Sequence, residues 1–239
     1  MKKNQRLPDL SRRTFLKGGS FSTLMSMLGG VPLVAQEQPK EAPLDEKPVG
    51  RIMKCAVIGL GPWGREILTA LARFKEANVV AVCDTYPAMV RRGQQLAPNA
   101  QTTDDYRTIL ANKEVEAVFI ATPSHQHREI AIAALKAGKH VYCEAPLAHT
   151  IEDAREIAKA AKAAFKVVFQ AGLQARSHPQ RHFLLQFIRA GAMGRPVMAR
   201  AQWHKKQSWR FASPNAEREI EINWRLNKKL SPGLIGEIG

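Results

Sequence analysis

Cys55-Ala56-Val57-Ile58-Gly59-Leu60-Gly61-Pro62-Trp63-Gly64 is an apolar run that breaks into a glycine-rich turn. Arg65-Glu66-Ile67-Leu68-Thr69-Ala70-Leu71-Ala72-Arg73-Phe74 follows with helix-like spacing. A second apolar run, Val79-Val80-Ala81-Val82-Cys83, ends on Asp84. From Arg51 to Asp84 the order is therefore strand, G-x-G-x-x-G turn, helix, strand, acidic residue.

Each residue type has a physical task in that order. Gly59 permits a tight turn, Gly61 lets the backbone approach a pyrophosphate, and Gly64 lets the helix pack on the strand. The helix N-terminus offers free N–H groups and a positive dipole to phosphates. Pro62 falls near the first helical turn, where its missing N–H costs nothing. Asp84 lies twenty residues past Gly64, the offset at which a carboxylate hydrogen-bonds adenosine ribose hydroxyls. The same carboxylate repels a 2′-phosphate, so NAD is expected in preference to NADP.

Outward from this unit the strand–helix alternation continues. Pro87 to Leu96 reads as a helix, and Thr103 or Asp104 as the N-cap of a short one. Val115 to Ile120 reads as a buried parallel strand that runs into Thr122-Pro123-Ser124-His125-Gln126-His127. An Ala-rich helix ends at Gly138, and His140-Val141-Tyr142-Cys143 is the next strand, leading to Glu144-Ala145-Pro146. Thr150 caps an amphipathic helix to Ala164, and Val167 to Gln170 is a further strand. The class is α/β with a doubly wound parallel sheet, the ligand crossing the strand C-termini. Beyond Gly172, Pro179 to Ala190 reads as a helix closed by Gly191, and Arg195 to His204 as a longer strand.

The N-terminus reads as an address. Ser11-Arg12-Arg13-Thr14-Phe15-Leu16-Lys17 matches the twin-arginine export pattern, and Gly18 to Val34 is weakly apolar. Residues 1–35 are expected to be a signal peptide, which places the protein in the periplasm or otherwise outside the cytoplasm. The apolar stretch is too short and too rich in Ser and Gly for a stable membrane span. Residues 36–50, rich in Pro and charge, read as a linker.

Composition bounds the rest. The chain has 239 residues, 45% hydrophobic and 24% charged, which is globular rather than disordered. Its net charge is +15, and residues 1–50 supply only +3 of it. Without a nucleic-acid motif, the excess is read as a solvated basic surface, and no nucleic-acid partner is expected. Three cysteines fall in strand-like runs and are expected to be buried, inert thiols. No Cys/His spacing points to a metal.

The Gly59–Gly64 loop with Asp84, the Thr122–His127 turn and Glu144-Ala145-Pro146 together resemble the glucose–fructose oxidoreductase / inositol dehydrogenase family (Gfo/Idh/MocA), and in particular its exported members. The resemblance covers about residues 51–239. It implies a Rossmann domain over 51–172 followed by an α/β substrate domain from 173. It also implies hydride transfer between NAD and a sugar, inositol or related polyol. The family also contains NAD-dependent glycoside hydrolases, and a catalytically inactive NAD-binding fragment is the remaining alternative. Cofactor contacts are implied for Gly59, Gly61, Pro62, Trp63, Gly64, Asp84, Thr122, Pro123, His127, Glu144 and Pro146. Glu144, His127 and Arg176 are the catalytic candidates, with a surface-loop histidine and a solvated arginine as the plainer readings of the latter two. Trp203, Trp209 and Trp224 stack on sugars or pack in a core or interface. Two departures stand out. Ala145 occupies the family's lysine position, and Gly239 ends the sequence before the histidine of the family's acidic-x-Gly-x-His stretch. The second departure reads as a C-terminally truncated, incomplete substrate domain; the full-length form is expected to be a homo-oligomer.

Overall fold

In the computed structural model the described residues are 50–173, 176–192, 194–200, 202, 204 and 209–238. The expected signal peptide, nearly all of the linker, and Trp203 lie outside them. The described residues fall into two compact units, 50–173 with 209–238, and 176–204.

The larger unit is built on six strands: β1 (Met53–Ile58), β2 (Ala77–Cys83), β3 (Gln101–Thr103), β4 (Ala117–Ile120), β5 (His140–Cys143) and β6 (Phe169–Ala171). All pair in parallel, in the order β3-β2-β1-β4-β5-β6. This is the doubly wound arrangement, with the strand order reversing direction beside β1. Parallel neighbours need crossovers, and helices supply them: α1 (Pro62–Leu71), α2 (Pro87–Leu96), α3 (Tyr106–Ala111), α4 (His127–Lys136) and α5 (Ile151–Ala163).

Alternation along β1 explains the layers. Ala56 and Ile58 face one side and pack with Val118, Ile120, Val141 and Cys143 against Ile109, Ile130, Ala134 and Ile157 of α3, α4 and α5. Val57 faces the other side and packs with Val82, Leu60 and Leu68 under α1 and α2. Both faces are covered, which is why these strands read as continuous apolar runs. Cys55, Cys83 and Cys143 are buried free thiols. Burial pushes their pKa values up, to about 11 for Cys55 and about 12 for Cys83 and Cys143.

Several boundaries differ from the sequence reading. Helix α1 starts at Pro62, the proline expected near its first turn, and so takes in Trp63 and Gly64 ahead of the Arg65 run. Gln101–Thr103 forms an unexpected edge strand on β2, which moves the cap of α3 to Asp105, whose carboxylate accepts from Arg107 N. The Thr150 cap is as expected, accepting from Asp153 N at 3.1 Å. In the smaller unit, α6 (Pro179–Arg189) ends before Gly191, at φ +71°. The strand expected from Arg195 is absent over the described residues 195–200, since alternation without a neighbouring strand supplies no ladder. Two further short helices, α7 (Ala216–Ile222) and α8 (Gly233–Ile238), belong to the larger unit. No helix of the described residues is long and apolar enough to cross a membrane.

Candidate dinucleotide site

The carboxyl ends of β1, β2, β4 and β5 gather the sequence candidates. Gly59 leaves β1 at φ +94°, and a Cβ there would stand 2.7 Å from the Ala121 carbonyl group. A Cβ on Gly64 would collide with the Gly59 carbonyl. Only glycine fits at these two positions, and both bring main chain against main chain. At Gly61, in contrast, an added Cβ meets nothing within 4 Å. The open space beside Gly61, at the N-cap of α1, leaves room for a phosphate group at a helix N-terminus. Pro62 and the half-exposed Trp63 form the first helical turn beside it.

Asp84 closes this turn from the end of β2. Its Oδ2 accepts from Leu60 N at 2.7 Å and its Oδ1 from Tyr86 N at 2.8 Å. The carboxylate therefore ties the glycine loop to the β2 end, and each oxygen keeps a second lone pair for a ligand. Thr122, at the end of β4, has its Oγ1 buried without a hydrogen-bond partner among the described residues. An orphaned hydroxyl next to the glycine turn, an open cradle and an acid at the β2 end fit a dinucleotide.

Residues 53–172 match the family model for oxidoreductases with an NAD-binding Rossmann fold, GFO_IDH_MocA. The chain belongs to this family. Among Gfo/Idh/MocA proteins, it is 30% identical over 185 residues to an inositol 2-dehydrogenase of Salmonella typhimurium, covering 74% of this chain and 55% of that one. It is 36% identical over 138 residues to a levoglucosan dehydrogenase of Pseudarthrobacter phenanthrenivorans, covering 57% and 33%. The solved scyllo-inositol dehydrogenase of Lactobacillus casei, with bound NAD(H) and scyllo-inositol, superposes with a TM-score of 0.57 at 26% identity, covering 60% and 43%. The chain thus spans about half the length of the curated relatives it matches.

At the other end of the Gfo/Idh/MocA site, Glu144 follows β5. Its Oε1 accepts from Tyr142 Oη at 2.8 Å and its Oε2 from Ala145 N at 3.2 Å. Burial, with the Glu144 charge, pushes the Tyr142 hydroxyl pKa up, so this phenol stays a donor to the carboxylate. Pro146 O lies 3.0 Å from His127 Nδ1, and Thr122 O lies 2.8 Å from His127 Nε2. His127 is 1% exposed. Both ring nitrogens face main-chain carbonyls, of which the neutral ring donates to one, and the ring sits between the β4 and β5 loops. Burial lowers its pKa, against the pull of the carbonyls. Pro123 precedes a 3-10 turn over Ser124–Gln126. His140 is structural, its Nδ1 accepting from Val168 N at 2.9 Å. Arg176 is exposed and belongs to the smaller unit.

Residues 209–238 add contacts at this end of the sheet, and among them sequence reasoning passed over Arg218 and the pairing of Glu237. Arg218 stacks its guanidinium 3.8 Å over the Tyr86 ring, after β2. Trp224 is buried, 5.8 Å from the His125 ring, after β4, and so packs rather than waits for a sugar. Glu237 accepts from Ser124 Oγ and Ser231 Oγ, both at 3.1 Å, and from Arg225 Nε at 3.3 Å. The ends of β2 and β4 flank β1 in the sheet, so these contacts bracket the glycine turn. No periodic signal marks them, because they depend on the chain returning to the sheet. Among the described residues no group of three or more His, Cys, Asp or Glu is arranged to hold a metal.

Proposed function

We propose that this protein transfers hydride between a nicotinamide dinucleotide, NAD in preference to NADP, and a sugar, inositol or related polyol. The observation that carries the reading is the Asp84 carboxylate, 2.7 Å from Leu60 N at the mouth of an open glycine cradle. When bound, the dinucleotide supplies a nicotinamide that takes or gives the hydride. The chain's residues do the rest. Gly61 and the α1 N-terminus receive the pyrophosphate, Asp84 the adenosine ribose, and Thr122 Oγ1 gains a partner. Gly59, Pro62, Trp63, Gly64, Pro123 and Pro146 shape the walls. Glu144, held by Tyr142 and Ala145 N, faces the nicotinamide end, while His127 holds the two loops that frame it.

The specific substrate classes come from the relatives: inositols, and levoglucosan in a dehydrogenase solved with NADH and levoglucosan at 30% identity. A panel of these polyols with NAD tests the reading by absorbance of the reduced cofactor. Formation of NADH with one of them supports it. Cleavage of a nitrophenyl glycoside without net NADH points instead to the glycosidase reading, which Ala145 favours because it lacks the lysine that serves dehydrogenation. Loss of both activities with NAD binding retained points to an inactive binding module. Export through the twin-arginine route is part of the same proposal and rests on Arg12 and Arg13. Retention of an R12K/R13K variant in the cytoplasm, with the parent exported, is the expected outcome. Arg176 as a substrate contact and association into a homo-oligomer also remain proposals.

A further inference from the structure

Removing hydride from an alcohol carbon leaves a hydroxyl proton that must pass to a base, and Ala145 cannot take it. This inference rests on the hydride-transfer reading above. Two imidazoles meet at the same end of the sheet. His125 sits in the turn after β4. His149 lies in the loop after β5, four residues beyond Ala145. Their ring centroids are 6.3 Å apart, edge to face. Trp224 closes another side of His125. His149 Nδ1 lies 3.4 Å from Asp153 Oδ2, and Asp153 in turn pairs with Arg128 at 3.3 Å. Nδ1 of His125 and Nδ1 of His149 are both buried with no hydrogen-bond partner among the described residues, which leaves Nε2 of His125 as the nitrogen for proton exchange.

His149 thus packs beside the Asp153 carboxylate without a hydrogen bond to it and meets His125 edge to face. We propose that His125 is the proton-accepting residue for the substrate hydroxyl, with His149, backed by Asp153, as its positioning residue. The balance is simple. The substrate C–H bond breaks and its electron pair leaves as hydride for the nicotinamide of the oxidised dinucleotide. The O–H bond breaks, its electrons close the carbonyl, and the proton goes to His125 Nε2. The imidazolium then returns the proton to water.

Burial lowers the His125 pKa first, and the neighbouring His149 and His127 lower it further, which favours the neutral ring that a proton acceptor needs. Other charged groups near the cluster are Asp153 and Arg128 behind His149. From 209–238 come Arg225, stacked 4.3 Å over Trp224, and Glu237 on Ser124.

The test follows the imidazole C2–H resonances of the full chain by proton NMR against pH, once with NAD⁺ and once with NADH. His125→Gln or His125→Asn assigns the resonance. A base beside the nicotinamide titrates lower with NAD⁺, because the ring's positive charge opposes protonation. The expected result is a lower His125 midpoint with NAD⁺ than with NADH, and a midpoint raised by His149→Ala at unchanged NADH affinity. For any polyol the chain oxidises, His125→Gln lowers kcat about 10²-fold or more, with KM little changed. Identical His125 curves in the two complexes overturn the proposal while leaving the dinucleotide reading intact. Failure of NADH to bind at all overturns the dinucleotide reading, and this inference with it.

Discussion

Alanine at Gly64 and alanine at Gly61 are expected to fail in opposite ways, although the two positions share one turn. A Cβ on Gly64 would stand 2.9 Å from the Gly59 carbonyl carbon, closer still to its oxygen, and 3.6 Å from Ala121 Cβ. The nearest clashing atoms are main chain, so no rotamer change relieves them, and either the turn or the start of α1 must shift. Overpacking costs about 1–3 kcal/mol where neighbours yield, and a main-chain clash belongs at the upper end. At about 3 kcal/mol the expected fall in Tm is roughly 6–12 °C for a chain of this size. Gly61 is different. Its φ of −57° and ψ of −176° are open to alanine, and nothing lies within 4 Å of the added methyl. Loss of the N-cap glycine costs at most about 1 kcal/mol. The methyl nevertheless fills the approach of the pyrophosphate, and NADH is expected to bind about ten- to a hundredfold more weakly, about 1.4–2.8 kcal/mol. Thermal melts followed by circular dichroism, together with tryptophan fluorescence titrations with NADH, read both effects. A Gly64→Ala chain that melts with the parent refutes the packing argument. A Gly61→Ala chain that binds NADH as tightly as the parent refutes the cradle.

Asp84→Ala should weaken NADH about tenfold or more, since it removes a charged acceptor and frees the loop N–H groups. In the parent chain NADPH should bind at least about tenfold more weakly than NADH, a difference of about 1.4 kcal/mol. Equal affinities in either comparison count against the assigned role of the carboxylate. His127→Phe leaves the Thr122 and Pro146 carbonyls without their ring partner, and a urea midpoint should report a loss of about 1–3 kcal/mol. The thiols give a pH dependence of known sign. Unfolded thiols ionise near 9.0, whereas burial keeps Cys55 protonated to about 11 and Cys83 and Cys143 to about 12 in the fold. The stability they contribute is complete below the unfolded value and is lost as pH rises toward the folded ones. The urea midpoint should therefore fall as pH rises above about 9 toward about 11, and an aromatic disulfide reagent should label the thiols only after unfolding. Rapid labelling of the native chain would contradict that burial.

The β1–turn–α1–β2 unit is legible in the sequence because each of its signals is local. Val57 and Ile58 must be apolar on both faces, Gly59 must take φ +94°, and Asp84 must end β2. The edge strand Gln101–Thr103 is not legible, since three polar residues become a strand only by pairing with Ala81–Cys83. The spacing from Gly64 places Asp84 at the right end of the right strand. It does not show that both oxygens already accept main-chain N–H groups, so that the acid also builds the loop. The place of His127 in the motif likewise does not show that helix α4 starts there and sets the buried ring between the Thr122 and Pro146 carbonyls. The contacts of Arg218 with Tyr86 and of Glu237 with Ser124 span more than a hundred residues of sequence and have no local signature.

The central claim is that a dinucleotide lies across the glycine turn with its ribose on Asp84. A crystal structure of the chain grown with NADH tests it most directly. The account predicts electron density with the ribose hydroxyls on the Asp84 carboxylate, the pyrophosphate against Gly61, and the nicotinamide toward Glu144. Density for the dinucleotide elsewhere, or none at a saturating concentration, would contradict it.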